Sequence, residues 1–186
     1  VDQLPPFLPS PLKYQYLPGF FQLKTTLQVS ASGGLGSEHN YLVQLLKQLG
    51  LKAISSTQLI GRKHSIRLLI DKEIKNHSYF LSVSSEEGIT IKAAFTESIF
   101  SGIQSLRSLI LKNPGQLACL EITDTPRFEY RGVLLDVARN FQTKETVKQL
   151  LDKMALYKFN KLHFHLTDDE GWRLEINGLP ELTAYG

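Results

Sequence analysis

Cysteine, methionine and tryptophan each occur once in the 186 residues. The lone Cys119 excludes an intrachain disulfide and a cysteine-rich metal module. No run approaches the roughly 20 apolar residues that a membrane-spanning helix needs. The chain also does not open with the basic-then-apolar pattern of a secretory leader. Its 21 Lys and Arg stand against 18 Asp and Glu, a net charge of +3. Those basic residues form no stripe or block, so the electrostatic footprint of a nucleic-acid binder is missing. What is present describes a folded protein: 42% of residues are hydrophobic and 21% charged, which argues against disorder. The length suits one ordinary domain, or one plus part of another.

Prolines 5, 6, 9, 11 and 18 crowd the first 19 residues, where missing donors and fixed φ predict an extended arm or linker, not a helix. Residues 20–29, aromatic and β-branched, read as a strand that Gly33, Gly34 and Gly36 break. That glycine run lacks the spacing of a dinucleotide or phosphate loop. Ser37 is a plausible N-cap for a helix carrying Leu42, Leu45, Leu46 and Leu49 on one stripe and stopped by Gly50. Strands are expected over 65–70, 79–84, 89–94 and 117–122, the middle two as a hairpin around Ser-Glu-Glu-Gly. The spacing of Ile99, Ile103, Leu106 and Ile110 predicts a helix over 96–111. Residues 1–124 thus form a small sheet covered by two helices.

From residue 125 onward the pattern changes. Residues 133–137 are nearly all apolar, as in a strand buried on both faces. Thr143 can cap a helix whose Val147, Leu150, Leu151, Met154 and Tyr157 make an apolar face, and a second strand follows over 161–166. Strand, helix and strand with short connections form a parallel unit of α/β type. About 60 residues cannot close an eight-stranded barrel, which takes about 250. The remaining strands are expected from a longer polypeptide, or else from a second chain.

Ligands of parallel sheets gather at the carboxyl ends of the strands. Arg139 and Asn140 follow the first strand; Thr167, Asp168, Asp169 and Glu170 follow the second. His163 and His165 point to one side of their strand while Leu162, Phe164 and Leu166 point to the other. Hydrogen-bonded core histidines, a carbohydrate-pocket network and metal ligation all fit such a pair. Asp168 and Asp169 suit orienting and capping roles better than direct acid–base chemistry, because neighbours at a strand end point apart. The donor fork of Arg139 suits a pair of hydroxyls or a carboxylate, and a structural ion pair fits its position equally. Asp136 needs a partner if buried. Strict alternation separates it from Arg139 unless the chain bends at Ala138. Trp172 can stack on a sugar or cover the rim.

Residues 131–186 resemble the start of the catalytic barrel of β-N-acetylhexosaminidases of glycoside hydrolase family 20. The specific matches are Arg131-Gly132, Leu135-Asp136 with Arg139, the run over 160–169, and Gly171-Trp172-Arg173. The preceding 124 residues look like that family's noncatalytic α/β domain. The resemblance implies an α/β fold: a sheet-and-two-helix domain over 1–124, then over 125–186 the first strand–helix–strand portion of a (β/α)8 TIM-type barrel. It implies that Arg139 binds the 3- and 4-hydroxyls of a terminal N-acetylhexosamine. Asp168 matches the acid that pairs with a histidine further along the barrel, whereas Arg131, Asp136, His163 and His165 match residues with supporting roles. Asn140 stands where the family commonly has histidine, and Phe164 where it commonly has tryptophan.

The family's catalytic Asp-Glu pair follows the fourth barrel strand, so the resemblance implies that these residues alone are inactive, with no catalytic residue among them. The implied reaction is retaining and substrate-assisted: the glutamic acid protonates the leaving oxygen and the substrate's acetamido oxygen attacks the anomeric carbon. No metal or other cofactor is implied, and the expected location is extracytoplasmic. The competing readings are a metal-dependent TIM-barrel hydrolase using His163 and His165, and a noncatalytic carbohydrate-binding or interaction protein.

Overall fold

The computed structural model describes residues 8–23, 26–56, 63–169 and 171–185, which divide into two compact units, 1–127 and 128–186. Pro5 and Pro6 of the expected arm, part of the strand expected over 20–29, and Glu170 lie outside the described residues.

The first unit is built on a seven-stranded mixed sheet. In chain order its elements are β1 (Lys13–Gln22), β2 (Leu27–Ala31), α1 (Gly36–Gln48), β3 (Ala53–Ser55), β4 (Ser65–Ile70), β5 (Tyr79–Ser84), β6 (Gly88–Ala93), α2 (Thr96–Lys112) and β7 (Gln116–Asp124). The strands lie in the order β1-β7-β5-β6-β4-β2-β3, with β3, β2, β4 and β6 mutually parallel and the β5–β6 hairpin antiparallel. Alternation drives the burial: Tyr79, Leu81 and Val83 of β5 are buried while Phe80, Ser82 and Ser84 are half-buried. Helix α2 buries Ile99, Ile103, Leu106 and Ile110, and α1 buries Leu42, Leu45 and Leu46, as their spacing predicts. Gly102 lets α2 approach the sheet, since a Cβ there would lie 2.6 Å from Cγ2 of Ile91.

A polar cluster sits inside this unit. The buried Tyr79 hydroxyl accepts from Ser105 Oγ at 2.7 Å and donates to Asp124 Oδ2 at 3.0 Å. The other oxygen of Asp124 accepts the backbone N–H groups of Leu12 and Thr125. Burial, then the Asp124 charge, push the Tyr79 hydroxyl well above its ordinary pKa.

Two expectations are corrected here. The single strand over 20–29 is the end of β1 and the start of β2, and β1 begins within the proline-rich arm at Lys13. A proline is tolerated there because β1 is an edge strand, and its register on β7 shifts between Tyr16 and Phe20, around Pro18 and the left-handed Gly19. Ser37 is no cap: α1 begins at Gly36 after Leu35, without a side-chain cap. The expected stop at Gly50 holds, with φ of 78°.

The second unit opens with β8 (Gly132–Asp136), α3 (Lys144–Leu156) and β9 (Lys161–His165), and β8 and β9 are parallel. A short hairpin of β10 (Thr167–Asp168) and β11 (Gly171–Trp172) and a final turn of helix α4 (Glu181–Ala184) follow. Thr143 caps α3, its hydroxyl accepting from Thr146 N at 3.2 Å. The expected apolar face of α3 is only partly covered: Met154 is buried, while Leu151 and Tyr157 are exposed. Two strands offer too little surface to cover a helix face. The architecture is the beginning of a (β/α)8-type barrel.

Candidate functional site

The parallel register pairs Asp136 with His165 at the carboxyl ends of β8 and β9. Beyond Asp136 the strand stops, because its own carboxylate captures the backbone that follows. Oδ1 accepts the N–H of Ala138 at 3.0 Å and of Arg139 at 3.1 Å. An aspartate bonding backbone two and three residues on bends the chain into a turn. That is the bend alternation demanded, and it brings Arg139 back over its own strand, Nη1 donating to Asp136 Oδ2 at 2.9 Å.

The second nitrogen of Arg139, Nη2, donates to Asp168 Oδ2 at 2.5 Å, so one guanidinium spans the ends of both strands. His165 completes the cluster: Nε2 lies 3.1 Å from Asp168 Oδ2 and 3.0 Å from the Thr167 carbonyl, and Nδ1 lies 3.8 Å from Asp136 Oδ2. Both neighbours of Nε2 are acceptors, so a proton on that nitrogen serves both. The side chains of Asp136 and Asp168 are 21% and 19% exposed, against 52% for Arg139. The carboxylates are therefore largely occupied in holding the guanidinium, and the guanidinium faces solvent.

Both carboxyls are held below the usual carboxylate range. For Asp136 the foremost cause is the backbone N–H of Arg139, with the His165 and Arg139 charges adding to it. For Asp168 it is Asp169, through its side chain and then its backbone N–H, followed by the Arg139 and His165 charges. Two carboxylates already balance the one guanidinium, so the cluster suits neutral hydroxyl groups better than an anionic ligand.

The other residues singled out by sequence fall elsewhere. His163 pairs with Leu134 two positions down the ladder, is exposed, and takes no part in the cluster. Arg131 lies at the opposite end of the strands, donating from Nε to the Lys158 carbonyl at 2.8 Å and from Nη1 to the Phe128 carbonyl at 2.6 Å. It fastens the left-handed Lys158, φ 61°, where α3 turns toward β9. Asp169 is exposed, its N–H bonded to Asp168 Oδ1, and Trp172 donates to the Leu174 carbonyl. Among the described residues no group of three or more His, Cys, Asp or Glu is arranged to hold a metal ion.

Two residues were not singled out for a role by sequence reasoning. Arg173 donates from Nε to the Val137 carbonyl and from Nη2 to the Ala138 carbonyl, each at 3.0 Å. Gly171 is pressed against the same turn. The Gly-Trp-Arg string was visible, but backbone carbonyl partners leave no pattern in sequence.

Residues 4–125 match the family described as Glycosyl hydrolase family 20, domain 2, and residues 128–186 match Glycosyl hydrolase family 20, catalytic domain. An N,N'-diacetylchitobiase of Vibrio harveyi is 53% identical over 113 residues, which is 60% of this chain and 13% of that protein. A beta-hexosaminidase of Vibrio furnissii is 35% identical over 185 residues, covering 96% of this chain and 29% of its own length. Among solved structures, the GH20 exo beta-N-acetylglucosaminidase from Vibrio harveyi in complex with N-acetylglucosamine superposes with a TM-score of 0.87 at 34% identity, covering 99% of this chain and 29% of that one. The GH20 beta-N-acetylhexosaminidase from Streptomyces coelicolor gives 0.81 at 32%, covering 99% and 39%. This chain therefore spans well under half of each relative's length.

Proposed function

Because the chain belongs to glycosyl hydrolase family 20, we propose that the complete polypeptide removes terminal, non-reducing N-acetyl-β-hexosamine residues. The observation that carries this reading is the half-exposed Arg139 guanidinium, held by Asp136 and Asp168 at the carboxyl ends of β8 and β9. That is where a barrel of this type gathers its substrate.

In this reading Arg139 binds the 3- and 4-hydroxyls of the terminal sugar as a charged double donor. Its two carboxylates fix the guanidinium before the sugar arrives, so binding energy goes into placing the anomeric carbon instead of ordering a long side chain. His165, with its Nε2 proton on Asp168 and Thr167, keeps the Asp168 carboxylate turned toward Arg139. The bond-breaking groups are the family's later Asp-Glu pair and the substrate's own acetamido oxygen, which gives net retention. Residues 1–186 alone then bind and position but do not hydrolyse.

The test is hydrolysis of an aryl N-acetyl-β-glucosaminide by the complete polypeptide, by its Arg139→Ala variant and by residues 1–186. The complete protein should cleave, the variant should lose about a hundredfold in kcat/KM (two charge-assisted hydrogen bonds), and the 186 residues should be inert. No cleavage by the complete protein refutes the activity. Unchanged efficiency in Arg139→Ala removes Arg139 from the sugar site. We further place the protein outside the cytoplasm, as the family resemblance implies; cell fractionation that finds it wholly cytoplasmic refutes that placement.

A further inference from the structure

The Arg139 guanidinium bridges Asp136, on the turn leaving β8, and Asp168, on the hairpin following β9. One side chain can span both only if the turn and the hairpin are held at a fixed separation. That separation is set by backbone contacts. The Arg173 guanidinium donates to two successive carbonyls, Val137 and Ala138, immediately before Arg139. The same group lies 5.5 Å from the ring centre of Phe141, two residues after Arg139. Its own N–H is bonded to the Leu166 carbonyl at 2.9 Å, so Arg173 is itself anchored to the end of β9. Gly171 closes the contact, since a Cβ there would lie 2.3 Å from the Ala138 carbonyl oxygen. Val137 and Ala138 are 3% and 0% exposed, so the two carbonyl groups lie where water gives little help.

We propose that Arg173, seated through the bare Cα of Gly171, is a positioning residue for Arg139: it locks the turn that aims the sugar-binding guanidinium. Its action on the reaction rests on the reading of Arg139 given above; its action on geometry does not. Arg173 holds residues on both sides of Arg139, and its planar fork matches two adjacent carbonyls in a way that a lysine ammonium cannot.

The experiment uses the complete polypeptide with Arg173→Met, Arg173→Lys, Arg139→Ala and the Arg173→Met/Arg139→Ala pair, assayed on the aryl glycoside, together with a crystal structure of the Arg173→Lys variant. Arg173→Met should lower kcat/KM by about a hundredfold, the scale of an ångström-sized misplacement, and Arg173→Lys should lose less, about tenfold. In the Arg139→Ala background Arg173→Met should add at most about threefold, because coupled residues are not additive. The crystal structure should show the Arg139–Asp168 contact broken or lengthened. Wild-type efficiency in both Arg173 variants, or the full loss repeated on top of Arg139→Ala, overturns the proposal. So does a lysine variant in which Arg139 spans both carboxylates unchanged. If the wild-type protein cleaves no hexosaminide, the activity reading fails and the crystal structure alone decides whether Arg173 positions Arg139.

Discussion

Asp136 holds Arg139 at both ends: one carboxylate oxygen accepts the arginine's backbone N–H at 3.1 Å and the other accepts its guanidinium at 2.9 Å. The same side chain therefore makes the turn and orients the group that the turn presents. The two jobs are separable by mutation, because an amide keeps an acceptor for the backbone but puts a donor or a neutral oxygen where the guanidinium needs a charge.

Asp136→Asn in the complete protein should therefore cost about tenfold in kcat/KM, and Asp136→Ala, which also loses the backbone bonds, about a hundredfold. Steady-state kinetics on an aryl N-acetyl-β-glucosaminide check this. Equal losses in the two variants would show that the turn does not depend on the Asp136 oxygen.

Titration gives a second prediction. The folded-state values of Asp136 and Asp168 are lowered from 3.8, so both groups favour the folded rim when ionised. That contribution is complete above the ordinary value and is lost as pH falls through the lowered folded values. Carbon-detected NMR of the carboxyl groups should place both midpoints below 3.8. Arg139→Ala should raise Asp136 only partway, because the backbone N–H of residue 139 persists, and should raise Asp168 through loss of the guanidinium charge. Wild-type midpoints at the ordinary value would refute the geometry.

Within the first unit, Tyr79→Phe strips a buried carboxylate of one donor and a buried serine of its acceptor. The expected loss is about 1–3 kcal/mol of unfolding free energy, read from urea denaturation monitored by circular dichroism. The raised pKa of this hydroxyl adds a pH dependence of opposite sense: stability present at neutral pH declines as pH rises past 10.0. A variant as stable as wild type, or a wild type indifferent to alkali in that range, would contradict this.

Gly102→Ala should destabilise by about 1–3 kcal/mol through overpacking, because the new methyl would meet Ile91 and the Tyr79 ring on the sheet. Thermal melting measures it. An unchanged midpoint would show that α2 can lift off the sheet at no cost.

The elements legible in the sequence were those whose period matched their burial. The spacing of Ile99, Ile103, Leu106 and Ile110 became the buried stripe of α2, and the runs flanking Ser-Glu-Glu-Gly became the β5–β6 hairpin. Strand β1 was hidden because Pro18 and Gly19 look like a terminator and act here as an irregularity in an edge strand. Strand β3, three residues long, is too short to show a period. At the site, residue types and their placement at strand ends could be read from the motifs. The joining of Asp136 to Arg139 could not, because alternation forbids it and a side-chain-to-backbone turn restores it. The role of Arg173 is illegible for a related reason: its partners are carbonyl groups, which every residue has.

The interruption of β1 also bears on solubility. A sheet border is a row of unpaired donors and acceptors on which a foreign strand can polymerise. Here the register slips between Tyr16 and Phe20, and Pro18 in that gap has no N–H to offer. A molecule approaching this border in search of a continuous ladder would find it cut midway, with only a few residues usable on either side. Among the described residues, the irregularity thus shortens the continuous ladder that β1 can present while leaving its pairing with β7 in place.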